Sequence, residues 1–136
     1  MKILMIYCDK FVYNPTIKTL EMADKNAEPA SFEKVQTAFI QVEEKDEDRE
    51  GDVTKKLLKN LKWVCGKNNT RKVILHSFAH LSESKANPEF TVKLFNHIEE
   101  RLKNTGYEVK QTPFGYFLDL QIDAPGFSLA RVFKSF

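Results

Sequence analysis

The residues best suited to chemistry in this chain lie in one stretch, His76-Ser-Phe-Ala-His-Leu-Ser-Glu-Ser84, directly after the apolar run Val73-Ile74-Leu75. Two histidines four apart would share one face of a helix and could ligate a metal there. This segment follows a strand instead, and neither a cysteine nor an acidic cluster completes the four ligands of a structural zinc site. Ser77 and Ser82 lie near the histidines in sequence, and Cys8 ends another apolar run. A nucleophile needs a frame that aims it, and no Gly-x-Ser-x-Gly elbow occurs. Glycine supplies only 5 of 136 residues, with no Gly-rich phosphate loop among them. The expectation is a site without metal or cofactor.

A second stretch, Thr112-Pro-Phe-Gly-Tyr116, shares a feature with the first. Each sets a phenylalanine beside small residues and exposed backbone N–H groups. Side by side, two such loops could hold a small polar ligand largely by backbone contacts.

The elements that must position these loops follow from periodicity. Residues 2–8 (KILMIYC) read as a buried strand extending towards Tyr13. Residues 14–30, polar and with two prolines, read as a long connection. Residues 32–43 read as a second strand, apolar on both faces and therefore central. The acidic run 43–52 (EEKDEDREGD) reads as a loop. A helix is expected from an Asp52 N-cap to a stop at Gly66, with Val53, Leu57, Leu61 and Val64 as its buried stripe. Residues 72–77 form strand three. The next helix has Asn87 as N-cap, Pro88 at its first position, Glu89 in its first turn and Gly106 as its left-handed cap. Phe90, Leu94, Phe95, Ile98 and Leu102 make its apolar stripe. Strands at 107–111 and 116–123 follow, and a type II turn at Ala124-Pro-Gly-Phe127 leads to a last strand at 129–133, closing a hairpin.

The order β-β-α-β-α-β-β-β over 136 residues implies one α+β domain, residues 1–136. A mixed six-stranded sheet with both helices on one face is the expected layout. Two helices leave the other face bare, and a homodimer partner is the simplest cover for it.

Composition narrows the class further. The chain is 42% hydrophobic and 29% charged, the balance of a soluble globular domain. No apolar run approaches membrane-spanning length. Two cysteines outside any Cys-x-x-Cys pair, and no signal peptide, point to a reduced, cytoplasmic setting. A net charge of +2 argues for no polyanion by itself. The charges are nevertheless segregated: residues 55–72 carry seven Lys and Arg and no acid. Such runs are usually a solvated helix face, and the functional alternative is a phosphate-facing surface.

FAHLS at 78–82 and PFGY at 113–116, in that order with a helix between them, resemble the N-terminal editing domain of archaeal threonyl-tRNA synthetase. The opening KILMIYCD and the strand Ala38-Phe-Ile-Gln-Val-Glu43 are similar to that family's first two strands. The resemblance implies a D-aminoacyl-tRNA deacylase-like fold, a homodimer, and hydrolysis of serine wrongly esterified to threonine tRNA. It implies partnership with the aminoacylated 3′ end of tRNA and with a synthetase catalytic domain, in cis or in trans. Val42, Ser77, Phe78, Ala79, Pro113, Phe114, Gly115 and Tyr116 would then line the amino-acid pocket. His80 would act near the scissile ester with a positioned water and the terminal ribose hydroxyl, and His76 would be structural. Lys55, Lys59 and Lys62 would contact tRNA. The chain departs from the family where a lysine is expected after PFGY, since Leu118 stands there. Arg131 stands about where a glutamate is expected, and Tyr7 and Cys8 replace a His-Ser pair. Arg131 and Lys110 are the cations that could stand in for the lysine.

Overall fold

The computed structural model describes all 136 residues. Its strands are β1 (Lys2–Lys18), β2 (Ala30–Gln41), β3 (Lys72–Ser77), β4 (Glu108–Gln111), β5 (Tyr116–Asp123) and β6 (Arg131–Ser135). The helices are α1 (Glu50–Lys67) and α2 (Pro88–Lys103). The sheet order is β4-β3-β2-β1-β5, and β6 also pairs with β1. β1 is antiparallel to β2, β5 and β6, while β2-β3 and β3-β4 are parallel. The sheet is mixed, as expected.

Both helices lie on one face for a topological reason. Each joins adjacent parallel strands advancing in the same direction, and right-handed crossovers of that kind put their helices on the same side. Leu57 and Leu61 of α1 and Leu94, Ile98 and Leu102 of α2 pack there, with no exposure, against Ile3, Met5, Ala38 and Leu75 of the sheet. Each such side chain contributes roughly 1.5–3 kcal/mol by leaving water.

The opposite face is partly covered by the sheet itself. Phe11, Tyr13, Val35, Phe39 and Ile74 form a second cluster there, with Phe78, Leu118 and Leu120 packed against it. Curling is forced by the chain. On a flat sheet β4 and β5 would lie four strand spacings apart, roughly 19 Å, and the register would set Gln111 level with Met5 of β1 but Tyr116 level with Lys18, roughly 40 Å further along. The steps from Gln111 to Tyr116 span at most about 18 Å. The sheet curls away from the helices so that this short connection can close, and β5 bends over the face that the sequence pattern leaves for a partner.

Several boundaries differ from expectation. β1 runs on through Asn14, Pro15 and Thr16, which read as a connection. Beyond Tyr13 it pairs only with β5, and its register shifts between Pro15 and Ile17. A proline fits such a bulged, one-sided stretch because it has no N–H for a second ladder. α1 begins at Glu50, with Arg49 as its cap and no side-chain capping bond, because a 3-10 turn over Glu44–Asp48 feeds straight into it. Asp52, expected as the cap, is a first-turn residue paired with Lys56 at 3.1 Å. Gly66 lies within the helix, and Asn69, at φ 52°, is the left-handed residue after it. The Ala124–Phe127 turn is not type II, since Gly126 lacks a positive φ. β5 and β6 do not form a hairpin: β6 pairs with Lys2–Ile6 and β5 with Lys10–Lys18, both on β1.

Candidate functional site

The curl that closes the β4–β5 connection brings residues 112–116 against loop 77–87. Between them lies a cleft of about 500 Å³. Val42, Ser77, Phe78, Ala79, His80, Pro113, Phe114, Gly115 and Tyr116 all line it, so the eight residues expected to line a pocket and the histidine expected to act beside them are brought together.

Loop 77–87 has no fully buried residue, yet it is fixed to the end of β2. The buried Gln41 side chain donates to the Ser82 carbonyl at 2.7 Å and the Ser84 carbonyl at 2.8 Å, and accepts from the Leu81 and Ser82 amides at 2.6 Å each. Below it the Phe78 amide donates to Ile40, and the Ala86 amide to Val42. Ser82 Oγ donates to Glu43 at 2.7 Å. Sequence reasoning missed Gln41 as the organiser of this loop. The available signal was a glutamine inside an apolar strand, where a buried amide must find partners.

The second wall depends on Gly115. Its φ is +82°, and a Cβ there would come within 2.9 Å of Ala23 Cβ and 3.2 Å of Leu20 Cβ. Only glycine allows the segment after β1 to lie this close. That segment is tied on by the Thr19 amide and hydroxyl, which donate to the Gly115 carbonyl at 2.7 and 2.9 Å. Thr19 and Leu20 therefore also line the cleft.

His76 is a buried part of the cleft lining, 7% exposed, its Nδ1 bonded to Thr112 Oγ1 at 2.8 Å and its ring edge-on to Phe39 at 4.8 Å. Burial, with a smaller push from His80, lowers its pKa to about 4, so it is neutral at physiological pH. His80 sits exposed at the rim with its ring against Phe78, 4.9 Å between centroids. No group of three His, Cys, Asp or Glu side chains is placed to hold a metal.

Charge is scarce in the lining. No carboxylate takes part, and the one cation is Lys85, for which no ion pair is formed. Arg131 and Lys110 do not reach the cleft, so neither stands in for the expected lysine. Leu118 lines it as an apolar residue. Tyr7 and Cys8 lie outside the lining; Tyr7 packs on Phe127, and burial raises the Cys8 thiol pKa despite its contact with Thr37. Burial pushes Cys65 up to about 12 against the pull of Arg71, which leaves both thiols poor nucleophiles. Lys55, Lys59 and Lys62 are also away from the cleft, together on α1 beside His97 and Arg101 of α2.

Among solved structures, the c-Myc DNA Unwinding Element Binding Protein matches with a TM-score of 0.67 and 12% identity, covering 99% of this chain and 98% of its own. A likeness at that identity shows a shared fold only. The class is a D-aminoacyl-tRNA deacylase-like α+β domain with one nearly uncharged cleft at its strand ends. The family described as the archaea-specific editing domain of threonyl-tRNA synthetase matches residues 1–136, and the chain belongs to it. Relatives include the threonine–tRNA ligases of Thermococcus kodakarensis, 33% identical over 142 residues, and Thermococcus sibiricus, 30% identical over 138. That of Methanoregula boonei is 30% identical over 136 residues. Each alignment covers 99% of this chain and 22% of the relative, so the chain spans about a fifth of the length of these proteins.

Proposed function

We propose that residues 1–136 are an editing unit that hydrolyses serine from threonine tRNA, working with a threonyl-tRNA synthetase catalytic domain in the cytoplasm. The observation that carries this is the cleft itself. It joins the FAHLS and PFGY segments in a space of about 500 Å³, the size that takes an aminoacylated nucleoside. Serine differs from threonine by one methyl, worth roughly 1–3 kcal/mol of discrimination, so a synthetase needs a second sieve. Backbone and small side chains at Ser77, Ala79 and Gly115 suit a pocket whose size does the sorting.

Water attacks the ester carbonyl, the ribose hydroxyl leaves, and serine and tRNA are the products. His80, at the rim, hydrogen-bonds near the ester or the ribose. Lys85 orients the substrate by sign: it attracts the phosphate of the terminal nucleotide and repels the α-ammonium group. Ile17 and Phe117, 61% and 63% exposed and paired across β1 and β5, support a homodimer contact near the cleft.

A second reading is a domain that keeps the fold and tRNA contact without hydrolysis. The apolar Leu118 in the cleft wall favours it. Incubation with seryl- and threonyl-tRNA for threonine decides between them. The expected result is loss of the seryl ester well above the buffer rate, with the threonyl ester spared. Buffer-rate loss of both, with tRNA still bound, would establish the second reading.

A further inference from the structure

The groove between α1 and α2 sets three lysines, an arginine and a histidine against one carboxylate, Glu50, which forms an ion pair with none of them. Lys55, Lys59 and Lys62 recur at i, i+4 and i+7 on α1, and His97 and Arg101 face them at i, i+4 on α2. Like charges at these spacings destabilise a helix. Lysines just outside the groove are compensated: Lys56 pairs with Asp52 at 3.1 Å and Lys103 with Glu99 at 2.6 Å. Lys55, Lys59, Lys62 and Arg101 have no carboxylate within 4.0 Å. Uncompensated cations on two facing helices are what a bound polyanion with many acceptor oxygens would neutralise.

We propose that the α1–α2 groove binds the phosphate backbone of RNA, with Arg101 and His97 of α2 acting together with the three lysines of α1. This deepens the editing reading and rests on it for the choice of RNA over another polyanion. Distance suits one ligand bridging both sites. α2 contributes Pro88 and Thr91 to the cleft and His97 and Arg101 to the groove. From Pro88 these lie about 14 and 20 Å along the helix at about 1.5 Å per residue. That is roughly four to six stacked nucleotides at about 3.4 Å each. An RNA whose aminoacylated end enters the cleft can reach the groove within its first four to six nucleotides if it follows α2.

The test is fluorescence-anisotropy titration of the full chain with uncharged threonine tRNA across a salt series. The variants are Lys55→Ala/Lys59→Ala/Arg101→Ala and, as control, Lys56→Ala. Alanine is the best helix former, so the triple variant keeps its helices, which circular dichroism checks. Lys59→Gln is a milder second variant. The expected result is at least tenfold weaker binding by the triple variant, with a log–log salt slope shallower by about 0.7–0.9 for each phosphate no longer neutralised, while the control stays near wild type. Unchanged affinity and slope in the triple variant, or no tRNA binding by the wild type, would overturn the proposal. Displacement of the RNA by polyglutamate at equal charge concentration would overturn it in favour of an acidic protein partner. Deacylation is measured on the same samples: tRNA held by the groove without ester loss sinks hydrolysis alone, and ester loss unaffected by the triple variant sinks the groove alone.

Discussion

Gln41 carries no charge, yet its side-chain amide makes four hydrogen bonds to the loop holding Phe78, Ala79 and His80. Replacing it by leucine keeps much of the volume and strands two amides and two carbonyls. Net hydrogen bonds contribute about 1 kcal/mol each, and unsatisfied buried partners cost more, so Gln41→Leu should destabilise the chain by roughly 2–4 kcal/mol. Hydrogen exchange would show faster opening at Leu81 and Ser82, with α1 amides changed less. Equal protection of the loop in both proteins would mean the loop is held by something else. The candidate site was legible at this scale only in part. Phenylalanines beside small residues, and the two short motifs, marked the walls. Gln41 gave only the weaker signal of an amide inside an apolar strand, and Lys85 gave none, because what sets it apart is the space it occupies.

At the scale of elements, α2 was readable nearly to the residue. Asn87 accepts from the Glu89 amide, Pro88 follows it, and Gly106 sits at φ 91°. Local chemistry decided those ends. β1 was not readable past Tyr13, because its continuation through Pro15 depends on β5, more than a hundred residues away in sequence. The acidic run 43–52 misled for a similar reason: Glu43 and Asp46 are buried, bonded to the Met1 ammonium at 2.7 and 3.1 Å. The connection between β4 and β5 shows what an element can impose on a site. Gly115→Ala puts a side chain at positive φ and into Ala23 and Leu20 at once. Backbone strain of this kind costs on the order of 1–3 kcal/mol. The expected outcome is a matching loss in denaturant unfolding, together with weaker binding of seryl-tRNA as the 19–24 segment moves off the cleft. Stability and binding both at wild-type level would show that this approach is not tight in solution.

For the whole molecule, acid should act in two windows set by two buried groups. His76 is the first. Its pKa is about 4 when folded against an ordinary 6.5, so the unfolded chain takes the proton first. The stabilisation is complete above pH 6.5 and is lost as pH falls from there to about 4. Glu43 is the second. Burial would raise its pKa, but hydrogen bonds from the Met1 ammonium and Ser82, aided by the charges of Met1 and Lys2, hold it at about 2 against 4.5. Its stabilisation is complete above pH 4.5 and is lost on the way down to about 2. Each shift corresponds to a loss on the order of 3 kcal/mol. Both groups join separate parts of the chain, His76 to Thr112 across the cleft floor and Glu43 to Met1 and Ser82. Protonating either group therefore loosens the hold between distant segments as well as one side chain. Urea unfolding between pH 7.5 and 2.5 should show stability falling in both windows. His76→Gln should flatten the upper window only, and Glu43→Gln, less stable at neutral pH, should flatten the lower one only. A wild-type curve level from pH 6.5 to 4, or a His76→Gln curve as steep as wild type there, would rule out the buried neutral histidine as the source of the upper window.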